Sequence, residues 1–149
     1  MKLAVLGGGG VRSPFLAKSI ALGAKEIGIT ETVFMDNNEE KLFTYGKIAK
    51  RISEMIDPEL KFSLTPDAEE ALRDADFVIT TIRAEGDEGR VFDERTALNE
   101  GVLGQETTGA GGFAMALRSI RTLKEYCTLA EKLRDQCMFN HVISACAVS

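Results

Sequence analysis

Directly after a short apolar run, Leu3-Ala-Val-Leu6, the chain places four consecutive glycines, Gly7 to Gly10. Val11, Arg12, Ser13 and Pro14 follow, and a helical pattern opens there. A buried strand, a glycine turn and a helix start in that order narrow the available folds sharply. Serine suits a helix N-cap because its hydroxyl accepts from an amide of the first turn. Proline suits the first helical position, where its missing N–H costs nothing. The arrangement points backbone amides and a helix N-terminus at a phosphate, as in a dinucleotide site. A tight turn that merely needs positive φ is the plainer alternative. In the G-x-G-x-x-G frame Gly7 and Gly9 fit, but Arg12 occupies the third glycine position.

The remaining pattern repeats the alternation. A first helix is predicted from about Pro14 to Gly23, with Phe15, Leu16, Ile20 and Leu22 on its apolar face. Thr32-Val-Phe-Met35 reads as a second strand ending in Asp36. In dinucleotide-binding folds an acid here bonds the adenosine ribose and disfavours a 2′-phosphate. The usual gap from the glycines is about 20 residues, and here it is somewhat longer. Asp36 also reads as a capping or solvated acid, with Asn37 and Asn38 as rival caps. A helix is predicted from Glu39 to Ile56, and Pro58 stops it. Leu60–Leu64 reads as a third strand, Pro66–Glu70 opens a short helix, and Ala75–Ile79 reads as a central fourth strand. The order predicts an α/β fold with a Rossmann-like, doubly wound parallel sheet. Ligands of such sheets gather at the strands' carboxyl ends, which selects Gly7–Arg12, Asp36–Asn38 and Thr80–Arg83, including Thr81.

Residues 80–112 read as a long functional loop, in which Asp93–Leu98 could form a helical turn. Its arginines, Arg83, Arg90 and Arg95, read equally as surface ion pairs or as oxyanion ligands. From Phe113 a helical stripe of Leu117, Ile120, Leu123, Cys127, Ala130, Leu133 and Cys137 reads as core packing. Thr108 and the glycines before the stripe offer a second helix start with amides available to an anion or substrate.

Composition removes some classes. A length of 149 residues predicts a single domain, residues 1–149. A net charge of −5 argues against nucleic acid as a partner. No apolar run approaches the ~18 residues of a membrane span. The absence of a leader and the three cysteines without CxxC spacing suggest a cytoplasmic, reduced protein.

Three stretches resemble glycoside hydrolase family 4, the NAD- and metal-dependent 6-phospho-glycosidases and related α-glycosidases. They are Gly7–Pro14, Arg83–Glu94 with Gly89-Arg90 and Asp93-Glu94, and Gly104-Gln-Glu-Thr-Thr-Gly-Ala-Gly-Gly-Phe-Ala-Met-Ala-Leu-Arg118. The resemblance covers roughly residues 1–136. It implies NAD and a divalent metal such as Mn2+ as cofactors, a phosphorylated glycoside as substrate, and a redox-assisted elimination. Hydride leaves the sugar's C3, the resulting ketone acidifies the C2 proton, a base takes it, the aglycone leaves C1, and the hydride is returned. It further implies that Gly7, Gly9 and Gly10 cradle the pyrophosphate, that Asp36 holds the ribose and that Arg90 serves the substrate; Val11, Arg12, Thr81 and Arg83, from the strand-end segments, complete the cofactor candidates. Glu106 would tune the catalytic base; its plainer role is a helix-start acid. The tail, residues 138–149, departs from the family pattern, and His141 and Cys146 fall outside any matching metal motif. The chain therefore reads as the cofactor half of such an enzyme, ending before the substrate and metal domain, inactive alone and prone to self-association through exposed apolar surface. A lactate/malate-type 2-hydroxyacid dehydrogenase and a non-catalytic NAD-binding or dimerisation module are the other classes.

Overall fold

A computed structural model describes residues 1–105, 108–134 and 141–144. Five parallel strands form one sheet in the order β3-β2-β1-β4-β5: β1 Lys2–Leu6, β2 Glu31–Met35, β3 Lys61–Thr65, β4 Phe77–Thr80 and β5 His141–Ser144. The chain winds outward from β1 to β3, then returns to the other side of β1 with β4. This is the doubly wound order, and its topological switch lies between β1 and β4. The edge strand β5, His141–Ser144, lies parallel to β4.

Two compact units make up the chain. The first contains Met1–Thr81 and the described residues from Leu129 on; the second contains Ile82–Thr128. In the first, α1 (Ser13–Ile27), α2 (Glu39–Lys41), α3 (Lys47–Ile56) and α4 (Ala68–Leu72) connect the strands. A π-helical turn, Leu42–Gly46, joins α2 to α3. The core is built by Leu3, Val5, Phe34 and Phe62 of the sheet against Ala17, Ile20, Ala21 and Ala24 of α1 and Leu42 and Ala49 of the second helical run. Phe34 and Phe62 pack ring to ring at 4.7 Å.

Several expectations change. Helix α1 extends past Gly23 to Ile27 and ends at Gly28, whose left-handed φ of 76° suits a C-cap glycine. Ser13 does not cap it: Arg12 occupies the N-cap position without a side-chain cap bond, and Ser13 is buried in the first turn. Pro14 sits in that turn as its chemistry requires. Asn38 caps α2, its Oδ1 accepting from Lys41 N at 2.9 Å.

The long loop of residues 80–112 is largely helix. Helix α5 spans Gly86–Asn99, and α6 starts at Gly109 and runs to Arg134. The first half of the stripe read as core is exposed, with Phe113, Leu117 and Ile120 more than half accessible, whereas Ala130 further along is buried as expected and Cys137 lies outside the described residues. The physical reason is a phase shift of one residue. Ala110 and Ala114 line the space against Ala97 of α5, and Arg118, one turn further on, reaches Asp93 of α5. The small-residue row therefore faces α5, and the bulky row beside it turns outward.

Candidate functional site

The glycine turn is moulded by the end of β2. Gly7 N and Gly8 N both donate to Met35 O at 2.8 Å. Gly9 N donates to Asp36 Oδ2 at 2.9 Å. The other carboxylate oxygen, Oδ1, accepts from Asn38 N at 2.9 Å. On the opposite flank, just past β4, Thr81 N bonds Leu6 O at 2.7 Å and Thr81 Oγ1 bonds Gly7 O at 3.1 Å. Gly7, Gly9, Asp36 and Thr81 thus converge at the carboxyl edge of the sheet, with the switch point between Gly7 and Thr81.

The glycines differ in what they need. Gly7 has φ +95°, and a Cβ there would lie 2.7 Å from the Thr81 backbone. Gly8, which the motif frame does not select, would place a Cβ 2.6 Å from Phe34 Cβ. At Gly9 a Cβ would lie 2.8 Å from the Asp36 carboxylate. Gly10 is exposed, and its nearest neighbour to a Cβ is 3.7 Å away. Only at Gly10 does the protein itself leave room. Val11 and Arg12 follow it, exposed, at the mouth of α1.

Arg83 and Arg90 belong to the second unit. Arg83 Nη1 bonds Asp87 Oδ1 at 2.8 Å, and Arg90 Nε bonds Glu94 Oε1 at 2.7 Å. The strongest electrostatic feature there was not selected from the sequence. Arg118 grips Asp93 with both Nη atoms, Nη1 to Oδ1 at 2.8 Å and Nη2 to Oδ2, and its Nε lies 3.3 Å from Glu85 Oε2. The Asp93 side chain is 6% exposed and that of Arg118 19%. Hydrogen bonds from Arg118 hold the Asp93 carboxyl below the usual carboxylate range against the opposing effect of burial. The same bonds raise the Arg118 guanidinium. Gly89 packs beside the pair, where a Cβ would lie 3.0 Å from Glu85 Cβ and 3.3 Å from Arg118 Nη2. Glu85, at the head of α5, takes a left-handed φ of 61°. Asp93 and Arg118 stand 25 positions apart, so no local spacing could have paired them.

Glu106 lies outside the described residues. Among the described residues no group of three or more His, Cys, Asp or Glu could hold a metal ion. Among them, too, no helix is long and apolar enough to cross a membrane.

The sheet order and the turn at its switch point define a doubly wound α/β protein of the Rossmann kind. The model of the family 4 glycosyl hydrolases matches residues 2–144, and the chain belongs to that family. It is 35% identical over 140 residues to the 6-phospho-beta-glucosidase BglT of Thermotoga maritima, covering 94% of this chain and 33% of that protein. It is 32% identical to the maltose-6'-phosphate glucosidase of Bacillus subtilis, covering 99% of this chain and 33% of that protein. Among solved structures, a 6-phospho-alpha-glucosidase from gut microorganisms in complex with NAD and Mn2+ superposes with a TM-score of 0.89 at 31% identity. That match covers 99% of this chain and 33% of that one. The chain spans about a third of the length of the relatives it matches. The dehydrogenase alternative gives way to this family membership.

Proposed function

We propose that this chain is the NAD-binding portion of a family 4 enzyme acting on 6-phospho-glycosides. The observation that carries the reading is the glycine turn at the switch point, sewn to the end of β2 by Gly7, Gly8 and Gly9 and bordered by Asp36. Gly7, Gly9, Gly10, Val11 and Arg12 would face the pyrophosphate, Asp36 would accept from the adenosine ribose, and Thr81 would hold the turn in place. Open space at Gly10 fits a ligand passing close to the backbone. The chemistry such a cofactor supplies is reversible hydride acceptance from a sugar carbon. Arg90 would meet the phosphorylated substrate, and Glu106 would tune a base supplied elsewhere. Arg83 is the remaining cofactor candidate. Two relatives, a 6-phospho-beta-glucosidase and a maltose-6'-phosphate glucosidase, support a phosphorylated glucoside as the substrate class.

Calorimetric titration with NAD tests the reading, beside a Gly10→Ala variant. The added methyl meets only ordinary van der Waals contact in the protein, so the melting temperature should be unchanged to within the usual surface effect, about 0.5 kcal/mol. NAD affinity should fall about tenfold or more as the methyl intrudes on the pyrophosphate path. Wild-type protein that is folded yet shows no saturable NAD binding would overturn the reading. Equal affinity in the variant would remove Gly10 from the cradle.

A further inference from the structure

The Gly9–Asp36 hydrogen bond is a contact that a generic strand–turn–helix does not require. Gly9 is absent from the positions with left-handed φ, so its backbone does not demand glycine. What demands glycine is the carboxylate, which a Cβ would meet at 2.8 Å. Asp36 also does more than an ordinary Asx turn needs. Oδ1 alone completes that turn by accepting from Asn38 N; Oδ2 is aimed across at the neighbouring loop. Together Phe34 packs under Gly8, Met35 O holds two amides, and Asp36 holds the third. The last three residues of this edge thus act as a template for the turn.

We propose that Asp36 is a positioning residue for the glycine turn, in addition to its contact with the ribose. By holding the Gly9 amide, the carboxylate fixes the turn in the shape that receives a dinucleotide pyrophosphate. Affinity at the phosphate end then depends on Asp36 even for a ligand with no ribose hydroxyls to offer it. The inference rests on the dinucleotide reading of the site and deepens it.

A ligand–variant cycle separates the two roles. The ligands are NAD and its analogue lacking both adenosine-ribose hydroxyls. The proteins are wild type, Asp36→Ala and Asp36→Asn, each checked for folding by circular dichroism. If Asp36 served only the ribose, removing it would leave the analogue's affinity unchanged. The proposal expects Asp36→Ala to weaken the analogue about tenfold, the scale of one hydrogen bond to a charged group. Asp36→Asn keeps one carbonyl acceptor and should recover part of that loss. In the ligand-free protein the Gly9 amide resonance should move in Asp36→Ala, while Gly7 and Gly8, held by Met35 O, should move little. Equal analogue affinity in wild type and Asp36→Ala overturns the proposal and leaves the dinucleotide site standing. Should the analogue bind wild type too weakly to titrate, the Gly9 amide decides: a resonance unmoved in Asp36→Ala overturns the proposal. Failure of NAD itself to bind folded wild type overturns both.

Discussion

Arg118→Met should destabilise the unit spanning Ile82–Thr128 by about 2–3 kcal/mol, the scale of losing hydrogen bonds to a charged group and leaving Asp93 without its partner. Asp93 is 6% exposed on its side chain, and Arg118 supplies both of the hydrogen bonds on its oxygens described above. Methionine fills a similar volume, so the loss reports the charge rather than a cavity. Replacing both partners, Arg118→Met with Asp93→Leu, should restore most of the stability, because an apolar pair pays no desolvation penalty. Segment-resolved hydrogen exchange is the measurement. Exchange should rise across residues 86–99 and stay near wild type across β1, β2 and β3. A double variant as unstable as the single one would mean that shape, not charge, holds α5 to α6.

The same pair sets a pH dependence. The folded Asp93 carboxyl lies below its ordinary range because Arg118 bonds to it. A depressed acid contributes stability that is fully present above its unfolded pKa and is lost as pH falls through the folded value. Wild type should therefore lose stability progressively in acid, from the ordinary aspartate range downward. Asp93→Asn should start lower at neutral pH and run flatter, the two curves converging at the acid end. Melting curves of both proteins across that range check the sign.

What the sequence disclosed and what it hid follow from the reach of each interaction. The strand–helix alternation from Leu3 to Ile79 was legible because each element carries its own period, and right-handed crossovers then force a parallel sheet. Helix α5 was hidden. Gly86 and Gly89 break the helical pattern, and its residues lack an apolar stripe. It is supported instead by Asp87 and Glu88 in its first turn, by the Arg90–Glu94 pair one turn apart, and by Arg118 from another helix. The period from Phe113 was correctly read as helix, but its facing was not. Periodicity reports a face, and only the partner decides which face is covered: here Ala110, Ala114 and Arg118 turn toward α5. At the candidate site Gly7, Gly9 and Asp36 were legible from the motif frame. The need for glycine at position 8 was not, since it comes from Phe34 on a different strand.

That hidden glycine yields the second large effect. Gly8→Ala should cost about 2–4 kcal/mol, at or above the usual range for overpacking, because the added Cβ would sit 2.6 Å from Phe34 Cβ. Neither atom can move cheaply. Phe34 is fully buried in β2, and the Gly8 amide is tied to Met35 O at 2.8 Å. The clash is with the Cβ and only secondarily with the ring, whose Cγ lies at 3.0 Å. Trimming the ring therefore cannot rescue the variant. Phe34→Ala keeps the offending Cβ and adds its own loss of about 3–5 kcal/mol for an emptied core position. The double variant should be less stable than either single one, as read by hydrogen exchange across β1 and β2. NAD titration should show the affinity of Gly8→Ala falling along with its stability, in contrast to Gly10→Ala, where binding alone should change. If Phe34→Ala instead restores Gly8→Ala, the ring rather than the Cβ sets the limit, and the backbones of the turn and β2 are less closely fixed than these distances require.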